Sequence, residues 1–243
     1  MGDPSGLSSE NLKRDVGERA AQLVQDGQVV GLGTGSTARW AIAALGRRVR
    51  EAGLRITGVP TSEVSARQAQ EEGIRLGTLD EFPVVDITID GADEVDPNLD
   101  LIKGMGGALL REKIVAASTV LKVIIVDESK LVKRLGTKSP LPVEVVPFGW
   151  RGAQRAIGQM GCTVALRKTG LEPYRTDTGN FIIDFRFSGI ADPRALERAI
   201  NNVPGVVENG LFLGLAQLAL VSTPQGIGVL ERQGPQDASA RMG

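Results

Sequence analysis

Short apolar runs alternate with helix-spaced segments through the first half of the chain, and this alternation constrains its fold more than any other feature. Gln28 to Leu32, Arg55 to Val59, Val84 to Ile89 and Lys122 to Val126 read as buried strands. Asn11 to Gln25, Ala38 to Glu51, Ser62 to Glu72 and Gly107 to Ser118 read as helices. Ala38, Ala41, Ile42, Leu45 and Val49 recur at three- and four-residue spacing, which gives that helix one apolar side. Such a pattern predicts an α/β fold, a Rossmann-like and mostly parallel sheet covered on both faces. Ligands in such sheets sit at the carboxyl ends of the strands. The loops predicted there are Gly33 to Thr37, Pro60 to Ser62, Asp90 to Asp96 and Asp127 to Lys130.

The texture changes after Leu131. Pro140, Pro142 and Pro147 punctuate an extended stretch. Gly152 to Met160 reads as a helix, and Val164 to Leu166 and Phe181 to Phe187 as strands joined across Thr176 to Asn180. Pro193 to Ile200 reads as a helix capped by Asp192 with Pro193 at its first position. Val206-Val207 follows as a short strand. This is a βαββαβ-like order, which predicts a small inserted α+β (ferredoxin-like) domain. Leu218 to Ser222 is apolar and predicted to return to the first sheet. The expected division is residues 10–134 plus 213–232 for the Rossmann-like catalytic domain and 135–212 for the small domain. Residues 1–9 and 233–243 are expected to be flexible tails.

Composition removes several function classes. No apolar run reaches the roughly 20 residues that span a bilayer, and Met1 to Arg14 lacks a signal-like segment. One cysteine, Cys162, cannot form an intrachain disulfide, and a reducing, cytoplasmic compartment fits. Lys plus Arg number 28 and Asp plus Glu 29, so the surface is not built to neutralise nucleic-acid phosphates. The chain has no histidine. Ser-His-Asp triads, Cys-His dyads and histidine-based zinc sites are therefore excluded, and acid/base work falls to carboxylates and lysines. Glycines number 31 and cluster tightly, which suggests backbone lying close to a ligand.

Three constellations carry chemistry. Gly31-Leu32-Gly33-Thr34-Gly35-Ser36-Thr37 follows a strand and opens a helix, where free N–H groups and the helix dipole favour an anion. Both the dinucleotide fingerprint and the Gly-Lys-Ser/Thr phosphate loop fail here. A small phosphate monoester, a nucleotide and a purely structural turn remain as readings. Asp90-Gly91-Ala92-Asp93-Glu94-Val95-Asp96 gathers carboxylates at a strand end. They suit sugar hydroxyls, a cation, or a solvated turn. Lys103-Gly104-Met105-Gly106-Gly107 precedes a helix in which apolar residues flank Glu112. Glu112 there is either a solvated surface charge or a partly buried base beside Lys103, which would favour a developing oxyanion. Lys130, after another strand, can reach a phosphate.

In these segments the chain resembles the A-type ribose-5-phosphate isomerases, from about Lys13 to Thr223. The motifs that carry the resemblance are Gly33 to Thr37, Pro60-Thr61-Ser62, Asp90 to Val95, Leu101 to Gly104, Arg111 to Ala116, Pro142 to Pro147, Gly179-Asn180-Phe181 and Pro204 to Val207. The resemblance implies a metal-independent and cofactor-free interconversion of D-ribose 5-phosphate and D-ribulose 5-phosphate in the pentose phosphate pathway. It places the general base on Glu112, which would move a proton between C2 and C1 through an enediolate. It places the enediolate-stabilising lysine on Lys103. Asp90 and Asp93 match sugar-contacting carboxylates, one of which would assist ring opening. Thr34, Gly35, Ser36, Thr37, Gly91, Ala92, Gly104, Met105, Gly106 and Lys130 fall on substrate-binding positions, and Lys13 on a position near the phosphate. The family is usually dimeric or tetrameric.

One departure stands out. The family's loop after the lysine is usually all glycine, whereas Met105 occupies it here. A positive φ at 105 would strain the loop by about 1 kcal/mol; an ordinary φ makes Met105 harmless or pocket-narrowing. Activity is expected to be retained. The competing readings are an isomerase of a different phosphosugar and a non-catalytic sugar-phosphate sensor, which would usually carry a DNA-binding module that is not visible in this sequence.

Overall fold

The computed structural model describes residues 9–233. Its centre is a seven-stranded sheet. In spatial order the strands are Gly226–Glu231, Leu218–Thr223, Thr119–Asp127, Val85–Asp90, Val29–Leu32, Thr57–Pro60 and Arg75–Leu76. Neighbours run parallel, except that Gly226–Glu231 folds back antiparallel on Leu218–Thr223. Leu218–Thr223 pairs with Thr119–Asp127, so the chain returns to the first sheet after its excursion, as expected.

The β-branched run Val85-Asp86-Ile87-Thr88-Ile89 sits near the sheet's middle because buried parallel strands favour such residues. Ile87, Ile89, Val30, Leu32, Val123 and Ile125 pack with Val16, Ala20, Ile42 and Leu45 from the helices Ser9–Ala21 and Ala38–Ala52 in one apolar cluster. Three parallel strands end side by side at Leu32, Asp90 and Asp127, and each runs straight into one of the loops singled out from the sequence.

A second unit holds a four-stranded sheet in the order Val206–Asn209, Leu141–Val145, Phe181–Arg186, Thr163–Leu166, with every pair antiparallel. Ile157 and Ala153 of the helix Trp150–Gly158, and Ile200 of the helix Pro193–Asn201, share its apolar cluster with Val143, Ile183 and Phe185. Asp192 caps the latter helix, its side chain accepting from the Ala195 N–H at 2.9 Å. The strand–helix–strand–strand–helix–strand order matches the expected ferredoxin-like pattern. A small three-stranded sheet, Glu94–Val95, Leu101–Ile102 and Leu211–Phe212, links this excursion to the loop after Asp90.

Three local readings need correction. The first helix runs Ser9–Ala21 rather than to Gln25, because Gln25 and Asp26 turn the chain toward Gln28 and Arg55. The hairpin Lys168–Thr169/Glu172–Pro173 stands between the two strands expected to be joined only by Thr176 to Asn180. Gly226–Glu231 is a strand that the sequence reading did not single out, and it is mostly exposed, without a clean apolar alternation. Apart from Ser9 and Gln233, the tails expected over 1–9 and 233–243 lie outside the described residues, and Ser9 opens the first helix.

Candidate active site

Asp90 ends its strand with its carboxylate turned to the Gly33 loop. Its Oδ1 accepts from the Thr34 N–H at 3.1 Å and the Gly91 N–H at 2.8 Å. This approach needs glycine at 33: a Cβ there would stand 2.3 Å from Asp90 Oδ1 and 2.6 Å from its Cα. The loop is also tied from the other side. Thr34 Oγ1 donates to Ser62 Oγ at 2.8 Å, Ser62 donates to Ser65 Oγ at 3.0 Å, and Ser65 donates to the Gly33 carbonyl at 2.7 Å. These hydroxyls come from the Pro60–Ser62 turn and the helix Glu63–Glu71, which Ser62 caps.

Lys103 follows the short strand Leu101–Ile102, and its backbone N–H donates to the Gly210 carbonyl at 2.9 Å. Its Nζ lies 3.0 Å from Asp90 Oδ2 and 3.4 Å from Glu112 Oε1, and donates to the Gly91 carbonyl at 2.6 Å. Glu112 stands in the first turn of the helix Leu109–Ala117, where the helix dipole favours a carboxylate. All three side chains are buried, at 4–5% exposed. Glu112 Oε2 is buried without a hydrogen-bond partner.

One cation thus faces two buried carboxylates. Burial pushes the Glu112 carboxyl up to about 8; Lys103 opposes the shift, and the charges of Asp90 and Asp93 add to it. Burial also raises Asp90, against the pull of Lys103. For Lys103, burial favours the neutral amine, but Asp90 and Glu112 outweigh it and hold the ammonium protonated. The arrangement joins a base that titrates near neutral pH to a fixed positive charge, as proton abstraction beside a carbonyl requires.

A cleft of about 210 Å³ opens above these groups. Thr34, Gly35, Ser36 and Thr37 form one wall; Gly91, Ala92 and Asp93 another; Lys103, Gly104, Met105 and Gly106 a third. Glu112 reaches it from below and Lys130 from the rim. Asp93 Oδ2 accepts from the Met105 N–H at 3.0 Å. Asp90 underlies the lining rather than forming part of it. Lys13 is not brought in: it lies outside the lining, and its Nζ is 3.9 Å from Glu10 Oε2. Leu99 is the only non-glycine with positive φ among the described residues, so Met105 has an ordinary backbone and the conditional strain does not arise. The residue is 46% exposed.

Arg167 is the neighbour that sequence reading missed. From the end of the strand Thr163–Leu166 its Nη1 donates to the carbonyls of Gly104 at 2.8 Å and Met105 at 3.1 Å. Its only sequence signal is an arginine just past an apolar strand, which most surface arginines share. Among the described residues, no group of three or more acidic, cysteine or histidine side chains is disposed to hold a metal ion.

Comparison with known proteins finds relatives of this chain. Residues 57–226 match the family described as ribose 5-phosphate isomerase A (phosphoriboisomerase A). A protein of Gloeobacter violaceus named ribose-5-phosphate isomerase A is 56% identical over 220 residues, covering 90% of this chain and 95% of its own. One of the same name from Methanothermobacter thermautotrophicus is 50% identical over 222 residues, covering 90% and 97%. The solved ribose 5-phosphate isomerase A of Methanocaldococcus jannaschii superposes with a TM-score of 0.89 at 48% identity, over 92% of this chain and all of its own. A D-ribose-5-phosphate isomerase solved in complex with phospho-erythronic acid superposes with a TM-score of 0.90 at 40% identity, covering 93% and 100%.

Proposed function

The chain belongs to the ribose-5-phosphate isomerase A family and is an aldose–ketose isomerase; from that premise we propose that it interconverts D-ribose 5-phosphate and D-ribulose 5-phosphate through an enediolate, with Glu112 carrying the proton. The observation that carries this reading is the buried pair at the cleft floor. Lys103 Nζ lies 3.4 Å from Glu112 Oε1, while Glu112 Oε2 has no protein partner.

In the forward direction the ring opens first. Asp93 rims the cleft and is the better placed aspartate to take the anomeric hydroxyl proton, since Asp90 is held beneath by Lys103 and two backbone N–H groups. Glu112 as carboxylate then removes the proton from C2. The C2–H electron pair forms the C1–C2 double bond, and the carbonyl pair moves onto O1. Lys103, its side chain 4% exposed, offsets that negative charge from a buried position, where a fixed charge acts more strongly than in water. The O2 proton is lost as the C2 carbonyl forms, O1 is protonated, and Glu112 returns its proton to C1. Atoms and electrons balance with no redox partner. Thr34 to Thr37 and Lys130 take the phosphate end, whose remote binding orients C1 and C2 over Glu112. Lys13 joins them only if its side chain leaves Glu10. The same reading takes the enzyme as cytoplasmic, homodimeric or homotetrameric, and part of the non-oxidative branch of the pentose phosphate pathway.

The test is a direct assay. Protein treated with a chelator is given ribose 5-phosphate, and ketopentose phosphate is followed by absorbance beside Glu112→Gln. Rapid turnover that the variant loses, with sugar-phosphate binding retained, is the expected result. Binding without turnover in the wild type would favour the sensor, and turnover only on another aldose phosphate would reassign the substrate.

A further inference from the structure

We propose that Arg167 is a positioning residue for the isomerisation: from the four-stranded unit it fixes the Gly104–Met105 and Met105–Gly106 peptide groups, so that the Met105 N–H meets Asp93 and the Gly106 N–H faces the cleft. The inference rests on the isomerase reading above and deepens it.

The geometry is specific. Arg167 Nε donates to Asp184 Oδ2 at 3.0 Å, so the guanidinium is held on its own sheet, from the neighbouring strand. Nη1 then spends its donors on two consecutive carbonyls, Gly104 at 2.8 Å and Met105 at 3.1 Å. A trans peptide is planar, with its C=O and N–H pointing in opposite directions. Holding the Gly104 carbonyl therefore aims the Met105 N–H away from Arg167, and it meets Asp93 Oδ2 at 3.0 Å. Holding the Met105 carbonyl aims the Gly106 N–H the same way, and Gly106 lines the cleft. A charged donor on each carbonyl also polarises the N–H at the other end of its peptide.

A second contact from the same unit supports the clamp. Tyr174, whose N–H donates to the Arg167 carbonyl at 2.9 Å, lies directly against Gly107. A Cβ at Gly107 would come within 2.1 Å of the Tyr174 hydroxyl oxygen, and Gly107 has φ +84°. The loop is thus seated between Lys103 and a rigid surface contributed by chain some 60 residues further on. Arg167 lies outside the cleft lining; it acts through the loop.

The experiment compares Arg167→Ala, Arg167→Lys and Asp184→Asn with wild type at a temperature where all are folded. It measures kcat, KM, and inhibition by 4-phosphoerythronic acid, whose carboxylate mimics the enediolate charge, and by inorganic phosphate. If the clamp aims the donors, Arg167→Ala lowers kcat on the order of ten- to hundredfold, with KM changed far less. Inhibition by the acid weakens in parallel, and inhibition by phosphate stays as in wild type. Arg167→Lys and Asp184→Asn give intermediate losses, which keeps the proposal testable if the alanine variant does not fold. A purely structural arginine would lower the melting temperature and leave kcat and inhibition by the acid within threefold of wild type; that outcome in the folded variants overturns the proposal. Glu112→Gln runs alongside: if it keeps wild-type turnover, the base assignment fails whatever Arg167 shows.

Discussion

Replacing Glu112 by Gln is expected to abolish turnover and, at alkaline pH, to stabilise the protein. An ordinary glutamate titrates near 4.5, and burial pushes this one up to about 8. The folded state therefore binds the Glu112 proton more tightly than the unfolded chain does. Stability is greatest below pH 4.5 with respect to this group, and falls as pH rises from there to about 8. Moving a carboxyl from 4.5 to about 8, at about 1.4 kcal/mol per pH unit, amounts to roughly 5 kcal/mol of lost stability above pH 8. That figure already includes the attraction of Lys103, which opposes the shift; in the variant Lys103 keeps Asp90 at 3.0 Å and the Gly91 carbonyl at 2.6 Å. A net gain of about 2–5 kcal/mol at pH 9 shrinks toward zero near pH 4.5, which for a domain of this size is roughly 5–15 °C in melting temperature at pH 9. Thermal and urea unfolding of both proteins at pH 5, 7 and 9 measure it. A variant no more stable than wild type at pH 9, or a difference that does not change with pH, would refute the reasoning.

Four further outcomes follow from the same geometry. The kcat/KM of the wild type should rise with pH and level off above about 8 as Glu112 ionises, and Asp93→Asn should shift that rise to lower pH, because the Asp93 charge raises Glu112; a pH–rate series checks both. Lys103→Met leaves Asp90 and Glu112 buried without their cation and should cost about 3–5 kcal/mol near neutral pH, read by urea unfolding, along with turnover. Met105→Gly should leave kcat within about twofold, since Met105 already has an ordinary φ and no strain to release; a large gain in the isomerase assay would contradict this.

Much of this fold was legible because its signals are local. The β-branched run ending at Asp90, and the glycine loop after Leu32, announce a strand and its turn without help from distant residues. The Gly226–Glu231 strand was not, since an edge strand that is mostly exposed needs no apolar alternation. Arg75–Leu76 and Lys168–Thr169 are too short for any period to register. At the site, Lys103 and Glu112 could be suspected of sharing a cleft, but their 3.4 Å approach depends on the three-stranded link and the loop's turn at Gly104, with φ +107°. Arg167 was invisible because its role is written in tertiary contacts to Gly104 and Met105. Lys13 shows the converse: a position taken from resemblance lies outside the cleft lining, beside Glu10, a residue that also bonds Trp40 and pairs with Arg39.

The central claim is that Glu112 moves a proton between C2 and C1, and solvent isotope incorporation tests it most directly. Isomerisation of ribose 5-phosphate is run in deuterium oxide, and the ribulose 5-phosphate is examined by proton NMR. An enediolate with a single protein base predicts deuterium in a measurable fraction of the product at C1, and neither turnover nor label with Glu112→Gln. Full-rate turnover with no solvent label would contradict an enediolate whose base exchanges its proton with solvent, and label appearing at the wild-type rate in Glu112→Gln would mean that another group is the base.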